Sequence, residues 1–150
     1  MITCLRTDCD NRDFQQLVSE LDAVLRVLDG DQHKFYAQFN TIDQLKNVIV
    51  AYEGNVAVGC GAIKEFSENA VEVKRMYVSP NFRGQGIASK ILNELENWAA
   101  ELKYDTCVLE TGNKQPEAIA LYKKSGYKIM PNYGQYKGVK NSICFEKNIR

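Results

Sequence analysis

The stretch Glu72-Val73-Lys74-Arg75-Met76-Tyr77-Val78-Ser79-Pro80-Asn81-Phe82-Arg83-Gly84-Gln85-Gly86-Ile87-Ala88 decides the fold. Its first part alternates as a strand, but Val71 and Val73 share one phase whereas Met76 and Val78 share the other. The apolar side therefore switches near Lys74 or Arg75, as a β-bulge would make it do, and bulges gather beside active sites. After Ser79-Pro80 the chain turns through two glycines into a helix whose apolar positions begin at Ile87. A small-residue turn feeding a helix N-terminus makes an anion site, because backbone N–H groups can approach a phosphate at the positive end of the helix dipole.

Upstream of this stretch, Asn47–Tyr52, Val56–Phe66 and Ala70–Val78 read as three antiparallel strands joined by the short turns Glu53-Gly54-Asn55 and Ser67-Glu68-Asn69. Earlier still, residues 2–6 form a short strand. From an Asn11 cap, Phe14, Leu17, Val18, Leu21, Val24, Leu25 and Leu28 follow helical spacing. Residues 29–42 mix acids with aromatics without a period, which predicts a surface loop or short helix able to line a pocket.

Downstream, a helix over about 87–102 buries Ile87, Ile91, Leu92, Leu95, Trp98 and Leu102. Thr106–Leu109 reads as a strand, and Pro116–Lys124 as a helix with Pro at its start and Gly126 past its end. Tyr127–Met130 and Ser142–Glu146 supply the last strands, the final one apolar enough to pair across a homodimer. The class is α+β, mainly antiparallel, in one domain spanning residues 1–150.

Composition narrows the function. The chain has 150 residues, 45% of them apolar, and 19 basic side chains balance 19 acidic ones. No global positive field is present to hold a nucleic acid. Five cysteines without a C-x-x-C pair, and His33 as the single histidine, leave no zinc-ligand pattern and read as small apolar residues in a reducing compartment. No stretch approaches the roughly 18 apolar residues of a membrane span, and no secretory leader precedes the first strand, so a cytoplasmic location is expected.

Two nucleotide motifs compete for the glycine turn. A dinucleotide fingerprint would use Gly84 and Gly86 with Glu110 ending the next strand, giving an NAD-dependent oxidoreductase. Ser89 stands where the third glycine belongs, and the preceding strands are antiparallel rather than parallel βαβ units. A phosphate-binding P-loop would need Gly-Lys-Ser/Thr, which does not follow.

The turn resembles that of the GNAT superfamily of acetyl-coenzyme A dependent N-acetyltransferases. Arg83, Gly86 and Ala88 match its pattern of Arg or Gln, then Gly, then Gly or Ala. Glu72-Val-Lys-Arg-Met-Tyr-Val-Ser-Pro80 precedes the turn in the same order. Glu117-Ala-Ile-Ala-Leu-Tyr122-Lys-Lys-Ser-Gly126-Tyr127 resembles the family's second signature helix, and the likeness covers roughly residues 45–147. The resemblance implies a mixed, mainly antiparallel twisted sheet of six to seven strands, with about four helices and splayed central strands. It implies acetyl-CoA as co-substrate and no metal.

It also implies roles. The N–H groups of Gly84, Gln85, Gly86, Ile87 and Ala88, with Ser89 and Arg83 beside them, would hold the pyrophosphate. Met76, Tyr77 and Val78 would pair with the pantetheine arm, the Val78 N–H stabilising the thioester oxygen. Asn113 would touch the pantetheine. Tyr122 would be the general acid for the departing thiolate, and Glu72 the candidate base for a primary amine attacking in a ternary complex. A convergence of Glu72, Glu110 and Asp31 would make the pocket acidic and favour a cationic amine over an anionic amino acid, and a small-molecule amine is expected as acceptor rather than a protein. The alternative within the same fold is a non-catalytic acyl-CoA binding or sensing module.

Overall fold

Residues 1–39, 41–42 and 44–150 are described in a computed structural model; Asn40, in the segment read as loop, lies outside them. The chain begins with β1 (Ile2–Thr7) and enters α1 (Arg12–Asp29), whose cap is Asn11: its Oδ1 accepts from the Phe14 N–H at 2.9 Å. Phe14, Leu17, Val18 and Leu21 are buried, but Val24 is not. A 3-10 turn (Gly30–Gln32) and the short α2 (His33–Ala37) follow.

The meander forms as read: β2 (Asn47–Glu53), β3 (Val56–Ser67) and β4 (Ala70–Val78). Then come the 3-10 turn Pro80–Phe82, α3 (Ile87–Glu101), β5 (Thr106–Gly112), α4 (Pro116–Lys124), β6 (Lys128–Met130), a 3-10 turn at Gly134–Tyr136 and β7 (Ser142–Asn148). Seven strands lie in the order β1-β2-β3-β4-β5-β7-β6. All pairs are antiparallel except β4–β5, which is parallel and in register only at Ala70–Glu72 against Thr106–Val108. Beyond Glu72 the two strands diverge, so the sheet splays at its centre. One parallel pair is also too little for the dinucleotide fold, which is built from successive parallel units.

Each face of the sheet is covered. α3 and α4 pack on Ile49, Val58, Val71, Val73, Leu109 and Phe145. Gly59 and Gly61 permit the close approach of α3, since a Cβ at Gly61 would meet Met76 Sδ at 2.6 Å and Ile91 at 3.0 Å. On the opposite face α1 covers Val48, Val50, Cys60, Ala62 and Tyr77. Farther along that face, Tyr36, Tyr133 and Tyr136 cover Val108 and Cys144.

Three expectations need correction. Trp98 is only partly buried, with the Arg6 guanidinium 4.9 Å over its ring, and Leu102 is exposed. Ala99 and Glu96 occupy the buried positions of α3 instead; Glu96 is neutralised by Lys147 Nζ at 2.7 Å and accepts the Tyr127 hydroxyl at 2.9 Å. The last strand is not a free edge: β7 lies between β5 and β6, which covers it at Cys144–Glu146.

Candidate active site

The switch of phase in β4 is a bulge at Arg75. Its φ is +57°, and the register jumps from Cys60↔Tyr77 to Ala62↔Lys74, one residue more on β4 than on β3. Lys74 and Arg75 thus both point toward the α1 side. The buried Arg75 guanidinium pairs with Asp22, and the Cys60 thiol donates to the Arg75 carbonyl. Past the bulge Met76 and Val78 face α3, while Tyr77 faces α1 and its hydroxyl donates to Glu20 at 3.2 Å.

This geometry frees a row of backbone. The Ser79 N–H donates to Val58 at 2.9 Å, across to β3. Successive N–H groups of a strand alternate sides, so that of Val78 faces away from β3, into the gap left where β4 and β5 part. The Gly-rich turn continues from there. Gly84 and Gly86 hold φ of +77° and +80°, left-handed values that only glycine adopts cheaply, and a Cβ on either would project into open space. Gly86 is the N-cap of α3, leaving the first-turn N–H groups of the helix facing outward. Arg83 Nε donates to the Val78 carbonyl at 2.9 Å, tying turn to strand.

The gap opens into a cavity of about 110 Å³. Its walls are Glu72 to Met76 of β4, Glu110 to Gly112 of β5, Tyr122 of α4, Asp29 of α1, Tyr36 of α2 and Tyr136. Glu72 and Lys74 are bound up with neighbours: Tyr133 donates its hydroxyl to Glu72 Oε2 at 2.7 Å, Lys74 Nζ stands 3.7 Å from Glu72 Oε1, and Lys74 donates to the Phe39 carbonyl at 3.0 Å. Burial lowers the Lys74 pKa, against the pull of Glu72 and Glu110. Glu110 is different. Its Oε2 is buried without a hydrogen-bond partner among the described residues, and burial pushes its carboxyl up to about 7. Burial likewise pushes the Tyr122 phenol up, with the Glu110 charge adding to it, so its O–H stays intact as a donor at neutral pH.

Of the residues singled out in the sequence, Glu72, Met76 and Tyr122 meet at this cavity. Val78, Arg83, Gly84, Gln85, Gly86, Ile87, Ala88 and Ser89 follow along the turn; Ile87 is buried in the core and offers only its backbone, whereas Ser89 is exposed. Tyr77 departs from the expectation: its side chain is on the α1 face and its backbone is turned toward β3, opposite Cys60, so of these residues it is Val78 that presents its N–H to the gap. Asn113 lines a smaller adjoining hollow with Asp29, Tyr36 and Gln115, and its N–H donates to Asn141 at 2.8 Å. The acids that converge are Glu72, Glu110 and Asp29; Asp31 is not among the lining residues. His33 sits behind Asp29, Nδ1 to Oδ2 3.5 Å. Missed in the sequence were Gln115 and Ala118, which sit where β5 runs into α4 and carry no periodic signal.

The chain is similar to known proteins in sequence and in fold. A family model described as "Acetyltransferase (GNAT) family" matches residues 14–127. An IAA acetyltransferase of Azospirillum brasilense is 34% identical over 134 residues, 88% of each chain. A crystal structure from Klebsiella pneumoniae, described as an acyl-CoA N-acyltransferase, superposes with a TM-score of 0.85 at 32% identity over 100% of this chain and 99% of that one. The PaiA N-acetyltransferase of Thermoplasma acidophilum, solved with coenzyme A, shares the fold at a TM-score of 0.73 and 16% identity over 99% of both chains.

Proposed function

The chain belongs to the GNAT acetyltransferase family, and on that premise we propose that residues 1–150 act as one N-acetyltransferase domain that moves an acetyl group from acetyl-CoA to a small primary amine within a ternary complex. One observation carries the reading. The Gly84–Ala88 turn follows directly on β4, whose Val78 N–H is turned to the gap between β4 and β5, and Tyr122 lines the cavity into which that gap opens.

Each part suits one portion of the co-substrate. The turn offers several donors and a helix N-terminus to a pyrophosphate, and open space above Gly84 and Gly86 leaves room for it. The gap-facing backbone of Val78, with Met76 beside it, is offered to the amide-bearing pantetheine arm. The Val78 N–H then stabilises the carbonyl oxygen as it gains negative charge, and Tyr122 gives its proton to the leaving thiolate. The attacking nitrogen must itself lose a proton, and the carboxylates of the cavity are the groups placed to receive it.

The acceptor side supports a small amine over a protein. α2 and Tyr136 wall the cavity, whose lining combines Asp29, Glu72 and Glu110 with Tyr36 and Tyr136, a setting that attracts organic cations. A reducing, cytoplasmic setting suits five free cysteines. Relatives and neighbours solved with coenzyme A or acetyl-CoA, including an Elizabethkingia anophelis acetyltransferase, support the co-substrate.

Calorimetric titration with acetyl-CoA, coenzyme A and NAD tests the reading. Micromolar affinity for acetyl-CoA, on the order of −8 kcal/mol, is expected, with none for NAD. Thiol release is then expected with members of a polyamine and aminoglycoside panel. Failure to bind coenzyme A in any form would sink the proposal.

A further inference from the structure

We propose that Glu110 on β5, and not Glu72 on β4, is the carboxylate that takes the proton from the attacking amine; the assignment rests on the transferase reading above. The two acids share one face of the sheet, since Val108 is in register with Glu72 and Glu110 lies two residues on. They differ in what their oxygens already do. Glu72 accepts the Tyr133 hydroxyl at one oxygen and faces the Lys74 ammonium with the other. Both oxygens of Glu72 are thus already engaged within the protein.

Glu110 stands just past the last residues at which β4 and β5 pair, where the sheet opens. Its Oε2 is sealed from bulk water and has no hydrogen-bond partner among the described residues. Such an oxygen gains the most from an N–H donor, because its desolvation is otherwise uncompensated. It is also close enough to Tyr122 to oppose that phenol's ionisation. The proposed acid and base therefore line the same cavity.

The step balances as follows. An ammonium substrate gives one proton to Glu110, and the freed lone pair forms the C–N bond to the thioester carbonyl carbon. The C–S bond breaks, and the thiolate takes the Tyr122 proton. The surplus proton on the new amide nitrogen returns to the Tyr122 phenolate. The products are the amide, free coenzyme A and protonated Glu110, which releases its proton to solvent.

The surroundings set the working pH. Glu72 and Lys74 face Glu110 from β4, with Arg75 beyond them; Asp29 faces it from α1 and Tyr36 from α2. Tyr122 of α4, Tyr136, and Ser142 and Cys144 of β7 complete the shell. Burial is the largest influence and Glu72 and Asp29 reinforce it, while Ser142 and Lys74 pull the other way, leaving the carboxyl at about 7. A base serves best near the pH at which it works.

The test compares wild type, Glu110→Gln and Glu72→Gln by thiol release over pH 5 to 9, using the amine panel above. In wild type, kcat/KM is expected to rise with pH through a midpoint near 7. In Glu110→Gln that limb disappears and kcat falls about 100-fold, the lower end for a general base, with the KM for acetyl-CoA unchanged. Glu72→Gln keeps the limb. If Glu110→Gln retains both limb and rate, the assignment is overturned while the transferase reading stands. A wild type that binds acetyl-CoA yet acetylates no amine overturns both. Should Glu110→Gln fold poorly, Glu72→Gln decides alone: a limb lost there moves the role to Glu72, and a limb kept excludes it.

Discussion

In the proposed reaction Tyr122 would be both a packed aromatic and a proton donor, and its position is compatible with both. The ring packs edge-to-face with Tyr127 and at a tilt to Phe145, each 5.9 Å away centroid to centroid, while the side chain also lines the cavity. Tyr122→Phe keeps the packing and removes only the hydroxyl. Turnover is expected to fall about 100-fold, the usual loss for one proton-transfer group, with acetyl-CoA affinity preserved in calorimetry. Unchanged turnover would remove Tyr122 from the mechanism. Glu110 makes a prediction that needs no substrate. Its carboxyl rises from the ordinary 4.5 to about 7 on folding, so the fold favours the protonated form. Below about pH 4.5 this costs nothing. As pH climbs toward 7 the folded state progressively loses stability relative to the unfolded chain, and above 7 the full cost remains, on the order of 3 kcal/mol. Glu110→Gln should therefore melt higher than wild type at pH 8 and match it at pH 4.5; a melting difference of the same size at both values would show that the charge is not the cause.

At the scale of elements, the N-terminus of α3 carries the sharpest expectation. Gly86 holds φ +80°, so any other residue costs about 1–2 kcal/mol there. Glutamate adds a negative charge where an anion is meant to dock. Gly86→Glu should leave circular dichroism native and abolish acetyl-CoA binding in calorimetry; binding at wild-type affinity would detach the turn from the pyrophosphate. This turn was legible in the sequence because glycines at a strand-to-helix junction report backbone conformation directly. The bulge was legible for a similar reason, since two valines and then Met76 and Val78 lie in opposite phases within nine residues. Local signals likewise bounded α1 at Asn11 and α4 at Pro116. What escaped depends on contacts distant in sequence. Whether Asp29 or Asp31 reaches the cavity turns on how the end of α1 meets β5, some eighty residues away. Glu110 and Glu72 look alike as letters, and only the Tyr133 hydroxyl, arriving from a loop near the C-terminus, separates them. Trp98 was taken for core because its spacing fits, yet Arg6 from β1 offers it a cation at the surface and Ala99 fills the inner position.

At the scale of the whole molecule, the sheet is two antiparallel blocks, β1–β4 and β6-β7-β5, joined strand to strand by three residue pairs. Elsewhere the seam relies on side chains of α3, α4 and the tyrosine cluster. On the proposed reading, an acetyl-CoA held by the turn after β4 and by the edge of β4 would lie along this seam, and its binding energy would be added where the backbone ladder is missing. Because it binds the folded chain alone, a concentration 100 times Kd stabilises by about 2.7 kcal/mol, and for a chain of this size that corresponds to roughly 5–10 °C in melting temperature. NAD at the same concentration should give no shift. The seam also predicts where protection appears. Hydrogen exchange should slow at Met76–Val78 and at the start of α3 on adding acetyl-CoA, while amides of β1 and β2, already in a full ladder, stay unchanged. If protection instead spread evenly over the sheet, the ligand would be stabilising the molecule globally and the splayed edge of β4 would not be its docking strand.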